Sequence, residues 1–287
     1  MSDRRSFLYT LGSALVGAAC ARSSSDSDTT ASTTQSGQRL DRIGIQLYTV
    51  RRDTERDFEG TLARVAEVGY REVEFAGYYG RSANDVRAVL NRVGLTAPSS
   101  HVGLPDCRRD VDGVIAMASG IGASYLVVPW LEESERKTLD DYRRIGEELN
   151  RIGEKVRAAG MRLGYHNHDF ELARIDGRLP LDVLLQEADA NLVVLELDLY
   201  WAVKGGIDPI AYVAQYPGRI HLVHVKDSAG APEHRQVDVG KGTINFAEIF
   251  ARREQAGIRH AFVEHDNPPS TTETMRASYE HLARLSW

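Results

Sequence analysis

The chain has 287 residues, 42% of them hydrophobic and 26% charged, the balance of a folded globular protein and not of a disordered or collagen-like one. Its formal net charge of −6 argues against a nucleic-acid binder, which carries a basic face. Two cysteines, Cys20 and Cys107, are too few for a disulfide scaffold or a cysteine-based zinc site, and no apolar run reaches the ~18 residues of a membrane-spanning helix.

The chain opens with paired Arg4-Arg5, then Ser-Phe-Leu, then an apolar stretch from Phe7 to Ala19 that ends in Gly17-Ala18-Ala19-Cys20. A basic start, a short apolar middle and small residues before a cut site describe an export signal. The arginine pair resembles a twin-arginine signal, and the small residues ahead of Cys20 resemble a lipoprotein box. The expectation is a signal peptide over residues 1–19 and a flexible Ser/Thr-rich tether over 20–41. Lipid on Cys20 would be the one link to a membrane, and the location would be the periplasm or the cell surface. With Cys20 lipidated, Cys107 would be a lone thiol. The competing reading is an amphipathic first helix of the domain.

From Arg42 onward, short apolar or alternating runs are each followed by a longer stretch of helical periodicity. The strand candidates are Ile43–Tyr48, Glu72–Ala76, Leu95–His101, Tyr125–Trp130, Met161–His168, Leu192–Asp198, Ile220–Lys226 and His260–His265. Helix candidates lie near 57–68, 82–93, 109–119, 139–159, 180–189, 208–215, 245–256 and 272–285. Gly69, Gly94, Gly160 and Gly257 each stand between a helical run and a strand, as left-handed caps do. Eight strand–helix units in about 245 residues predict a (β/α)8 TIM barrel as one domain over 42–287. The alternative is an open doubly wound sheet, but no G-x-G-x-x-G follows the first strand.

Active sites of such barrels lie at the C-terminal ends of the strands. There the chain places Gln46, Glu74, His101, Trp130, His166-Asn167-His168, Glu196 and Asp198, Tyr200-Trp201, His224 and Lys226, and Glu264-His265-Asp266. Side chains alternate along a strand, so His166 shares a face with His168, Glu196 with Asp198, and His224 with Lys226. Ionisable groups inside a barrel are costly unless paired or metal-bound. Asp198, His224 and Glu264, at the ends of three successive strands, suit one divalent cation, with a fourth ligand from His166 or His168. Mixed carboxylate and imidazole ligands favour Mn²⁺ or Zn²⁺, with Mg²⁺, Co²⁺ and Fe²⁺ also compatible.

Six segments carry a resemblance over residues 40–287: Gly44–Arg51, Gly164–Glu171, Leu195–Trp201, His221–Asp227, Val239–Asn245 and Val263–Asp266. They resemble the sugar phosphate isomerase/epimerase family, the xylose-isomerase-like barrels that include the endonuclease IV branch. The resemblance implies one divalent cation held from strands five to eight, by Asp198, His224, Glu264 and a strand-five group. Family epimerases commonly place a glutamate there, where this chain has His166. They resemble a two-carboxylate machine, and this chain lacks one of the pair. Glu196 or Glu171 is the candidate to compensate, although Glu171 also reads as a surface charge on a loop.

The leading expectation is a metal-dependent isomerase or epimerase of an unphosphorylated keto-sugar, working by proton abstraction alpha to a carbonyl. Glu264 would be base and ligand, and His168 and Lys226 would relay protons or support an oxyanion. Lys226 could instead be a structural ion pair, with Asp227 or with a neighbouring strand end. Gln46, Glu74, His101, Trp130 and Trp201 would contact substrate, with Tyr48 in the same apolar wall. The alternative is a metal-dependent lyase or hydratase that removes a β-substituent from a 3-keto-glycoside or an inosose-like substrate. A DNA-repair nuclease would need more metal ligands and a basic face, and a non-catalytic sugar-binding lipoprotein is a further reading. Gly240-Lys241-Gly242, after strand seven, lies where barrels often hold phosphate. We read it as a turn, which fits an unphosphorylated substrate met outside the cytoplasm.

Overall fold

In the computed structural model, which describes residues 37–287, eight parallel strands close on themselves. They are β1 Gly44–Gln46, β2 Glu72–Phe75, β3 Thr96–His101, β4 Tyr125–Val128, β5 Arg162–His166, β6 Val193–Asp198, β7 Ile220–Val225 and β8 His260–Val263. Each pairs with its sequence neighbours, and β1 closes the ring on β8 with Ile45 opposite Val263. Closure rules out the open sheet. The signal segment, Cys20 and the tether as far as Ser36 lie outside the described residues.

Helices join the strands close to the expected places. Leu139–Ala158 shows why: Thr138 and Asp141 cap each other's backbone N–H groups, and Tyr142, Ile145, Leu149, Ile152 and Val156 recur at helical spacing on its buried face. The expected helix near 109–119 runs from Leu104 to Ile121 and is broken at Asp110, whose carboxylate accepts from Gly113 N at 2.9 Å. The expected helix over 245–256 is two short ones, Phe246–Phe250 and Arg253–Ala256. The anticipated glycine caps do follow helices at positive φ. Cys107 is a free, buried thiol.

The tether boundary moves inward. Gln38 and Trp287 exchange backbone hydrogen bonds of 3.0 and 3.2 Å, and Leu40 packs on the core, so residues 38–41 belong to the barrel.

One large apolar core lies between strands and helices, and a separate cluster of Tyr125, Val127, Val194, Leu222 and Phe262 plugs the barrel interior. Two glycines make room in that layer. Gly44 is registered opposite Phe262, and Gly164 opposite Val127. A Cβ on Gly44 would meet the Phe262 ring at 2.4 Å.

Above the plug the interior turns polar. Everything placed there rests on the register that the plug fixes. Gly44→Ala is therefore expected to destabilise the fold by ~1–3 kcal/mol through overpacking, lowering Tm by several degrees in thermal unfolding. An unchanged Tm would show that the layer does not set the register.

Candidate metal centre

Two tiers of polar side chains sit on the plug, because inward-facing residues recur every second position along each strand. The lower tier is Gln46, Glu74, His101, His166, Glu196 and His224, and the upper is Asp198, Lys226 and Glu264 with His168 just past β5. Most are wholly buried.

Asp198, His224 and Glu264 converge, with ligand atoms all within 4.8 Å of one another. His224 Nδ1 lies 2.7 Å from Glu264 Oε2 and 3.9 Å from Asp198 Oδ2, and His166 Nε2 lies 3.9 Å from the same Asp198 oxygen. Asp198 Oδ2 is buried and has no hydrogen-bond partner. It stands 3.0 Å from Lys226 Nζ, without an aligned hydrogen bond. A buried acceptor left open among two imidazoles and a second carboxylate fits a divalent cation of the Mn²⁺ or Zn²⁺ type. His166 faces this gap, and His168 stands further out.

The other face of His224 is fixed from below. Its Nε2 lies 2.7 Å from Glu74 Oε2, and Glu74 also accepts from Gln46 Nε2 at 2.8 Å and from Ser99 Oγ. Gln46 Oε1 in turn accepts from Tyr48 N at 3.0 Å. Glu74 and Gln46 were expected to face substrate. Both are fully buried and neither lines the cavity above. Their position in the lower tier makes them supports for His224, the arrangement that orients a ligating imidazole.

Glu196 is the residue that strand-end reasoning underweighted. Its Oε2 lies 2.7 Å from His101 Nε2, 3.1 Å from His166 Nδ1 and 3.2 Å from His224 Nε2. These four residues could pass for a second metal site. Their ligand atoms also lie within 4.8 Å of one another. In this structure Glu196 Oε2 is shared by the three imidazoles, and His101 Nε2 and His224 Nε2 also close on one Glu74 oxygen at 3.3 and 2.7 Å, a hydrogen-bonded grid that aligns the rings.

The charges follow this layout. Burial opposes charge on His101, but Glu74 and Glu196 outweigh it and lift the ring to about 9. Burial and then the Lys226 ammonium push His168 down to about 3, leaving a neutral imidazole. Burial pushes the Asp198 carboxyl up to about 6 against the pull of Lys226 and His224. Burial acts the same way on Glu264, but Lys226 and His224 prevail and hold it well below the usual carboxylate range.

One expectation changes, and one of two alternatives is selected. Glu171 is fully buried and not a surface charge. It accepts from Tyr165 Oη at 2.6 Å and from His168 N at 2.8 Å, pointing away from the mouth, so it replaces no catalytic carboxylate. Lys226 pairs with the neighbouring strand end and not with Asp227. It reaches Glu264 at 2.8 Å and Asp266 at 2.9 Å. Asp266 is held by the side chain of Gln236, from the short antiparallel hairpin Asp227–Ser228 with Gln236–Val237. Asp227 faces the other way. Its carboxylate accepts from Gly240 N and Gly242 N, each at 2.9 Å, and from Ser228 N and Ile244 N. The Gly240-Lys241-Gly242 loop is thus an anion nest filled by the chain's own carboxylate. Lys241 is exposed and paired with Asp238 at 2.8 Å.

Asn167 was quoted only as part of its segment. It is fully buried, and its Oδ1 accepts from Asp198 N at 3.0 Å, tying the end of β5 to the end of β6. A polar residue between two inward histidines was the available signal.

Above the cluster a cavity of about 570 Å³ opens to solvent. His101, His166, His168, Lys226, Glu264 and Asp266 line its polar end, and Tyr48, Trp130, Phe170 and Trp201 its apolar walls. His168 Nδ1 and Trp201 Nε1 have no hydrogen-bond partner.

A closed barrel with imidazoles and carboxylates gathered under an open mouth defines a (β/α)8 enzyme with a candidate metal centre. The chain belongs to the xylose isomerase-like TIM barrel family, whose model matches residues 62–285. It is 26% identical over 229 residues to an inosose dehydratase of Geobacillus kaustophilus (strain HTA426), covering 67% of this chain and 74% of that one. A sugar phosphate isomerase/epimerase structure from Parabacteroides distasonis ATCC 8503 superposes with a TM-score of 0.74 at 27% identity, covering 89% and 98% of the two chains. The structure of an IOLI protein with a bound zinc atom shares the fold at 13% identity, with a TM-score of 0.69 and coverage of 86% and 99%.

Metal content checks the site. Asp198→Ala and Glu264→Ala are each expected to abolish stoichiometric binding of Mn²⁺ or Zn²⁺ measured by elemental analysis. Glu74→Gln, which leaves every ligand in place, should weaken metal affinity ~10–100-fold by calorimetry. Full metal content in both alanine variants would place the ion elsewhere.

Proposed function

We propose that this enzyme is a divalent-metal-dependent carbon–oxygen lyase acting on an unphosphorylated keto-sugar or inosose-like substrate, by proton abstraction alpha to the ketone followed by loss of the β-oxygen. The observation that carries this reading is that, among the described residues, no second carboxylate at the mouth is free. His166 stands where epimerases of the family hold a glutamate. Glu196 is locked in the lower tier, and Glu171 is turned away. Of the other carboxylates lining the cavity, Asp169 pairs with Lys204 at 3.1 Å and Asp266 with Lys226. An elimination needs one base and a proton for the leaving oxygen, so it is less demanding than an epimerisation with a base on each face.

His166, Asp198, His224 and Glu264 would hold the ion, which when bound polarises the substrate carbonyl as a Lewis acid. His168 is the best-placed base, because it lines the cavity with an Nδ1 that has no hydrogen-bond partner while Glu264 Oε2 is already engaged by His224 and Lys226. The α-proton passes to His168, the β C–O bond breaks with its electron pair going to oxygen, and that oxygen takes up the proton. Lys226, an ammonium fixed between Glu264 and Asp266, supports the developing enolate charge. The Trp201 ring lines the same cavity and gives the sugar an apolar face.

The filled nest at Asp227 supports an unphosphorylated substrate, as does the export signal expected over residues 1–19, which would place the enzyme in the periplasm or at the cell surface. Isomerisation is the second reading, favoured by the Parabacteroides structure.

His168→Ala is expected to lower kcat by ~10²–10⁴-fold while metal content is retained, and a chelator should abolish activity that added Mn²⁺ or Zn²⁺ restores. Mass spectrometry of products decides the outcome. A product lighter by water or by an alcohol supports the lyase, and an isomer of unchanged mass replaces it with the epimerase. Competition by sugar phosphates at micromolar concentration would overturn the unphosphorylated assignment.

A further inference from the structure

Among the described residues the exposed large hydrophobic side chains are Tyr48, at 41%, and Trp130, at 43%. Both line the 570 Å³ cavity. Tyr48 stands just past β1 and Trp130 just past β4, three strands apart around the eight-stranded ring. The metal cluster comes from β5 to β8. The two rings therefore flank the half of the mouth that the cluster leaves free.

Neither ring is loose. The Arg51 guanidinium covers Tyr48 at 3.9 Å from the ring centroid, and is pinned by Tyr48 O at 2.7 Å and Asp266 O at 2.8 Å. Trp130 packs edge-on against His168 at 5.0 Å and Phe170 at 5.1 Å between centroids. Exposed aromatic surface held in place around a cavity marks a ligand contact. Cavities of ~300–1,000 Å³ take drug-sized molecules, and 570 Å³ is more than one six-membered ring at the polar end needs.

We propose that Tyr48 and Trp130 form a second subsite that holds a ring on the leaving group, so that the substrate is a keto-glycoside with a cyclic aglycone. The ketone-bearing sugar ring sits at the cluster, and the second ring, sugar or aromatic, lies between the two platforms. The chemistry rests on the lyase reading above. The proton between the ketone and the glycosidic carbon goes to His168, and the glycosidic C–O bond breaks with its electron pair going to the departing oxygen. That oxygen takes the proton, giving an unsaturated keto-sugar and a free alcohol. No oxidant is consumed.

The test compares a phenyl keto-glucoside with its methyl counterpart for the metal-loaded wild type, Tyr48→Ala and Trp130→Ala. The wild type is expected to prefer the phenyl substrate about tenfold in kcat/KM, carried by KM, with that preference falling toward one in either variant. A wild type with no preference, or variants that keep it, would overturn the subsite. Calorimetry with the unoxidised phenyl and methyl glucosides separates the two proposals. Ring-selective binding that Trp130→Ala removes, without turnover of any keto-glycoside, would keep the subsite and overturn the lyase reading. Equal binding of both glucosides would overturn the subsite whatever the reaction.

Discussion

Buried negative charge is the constraint around which the upper barrel is organised. Glu74, Glu196, Asp198 and Glu264 are sunk in the interior, and among the described residues the ammonium there belongs to Lys226. Carboxylates taken from water in this number cost far more than one ammonium returns. The chain answers with imidazoles aligned between the acids, whose carboxylates hold His101 and His224 toward their charged forms, and with an Asp198 oxygen that has no hydrogen-bond partner beside Lys226. That open oxygen is what makes the upper tier a candidate for a divalent cation. Candidate ligands and their supports therefore occupy successive tiers.

The same economy shapes selectivity. Asp227 and Lys226 are neighbours on one strand end, yet alternation sends them to opposite sides. Lys226 turns to the cavity and the candidate metal cluster, while Asp227 fills a backbone nest of the kind that holds anions. The Asp266–Gln236 pair then fixes the lysine from the hairpin side. On the proposed reading, a preference for neutral carbohydrate would come from this anion built into the chain, with no need for a wall that repels phosphate.

Much of the barrel was legible in the sequence because periodicity and glycine stops report backbone geometry directly. The closed ring, the strand order and the convergence of Asp198, His224 and Glu264 followed from strand-end positions alone. Depth was harder to read. Gln46 and Glu74 lie one tier below the mouth, and only closure of the ring, which sets Glu74 across the interior from His224 with Gln46 behind it, shows that they support the imidazole and do not face the cavity. Glu171 read as a loop charge because a turn folded back onto Tyr165 has no periodic signature. The break at Asp110 was also invisible, since an aspartate that caps the next turn looks like any helical acid. Glu196 was noticed only as a substitute base, because its role depends on three histidines from three other strands.

The Gln38–Trp287 pairing brings both ends of the described chain to the side where β1 begins, opposite the mouth. Trp287 also packs on Phe250 with ring centroids 5.4 Å apart. The stretch ahead of β1 is thus tied through one aromatic to the core beneath it, and the first strand enters the ring already held.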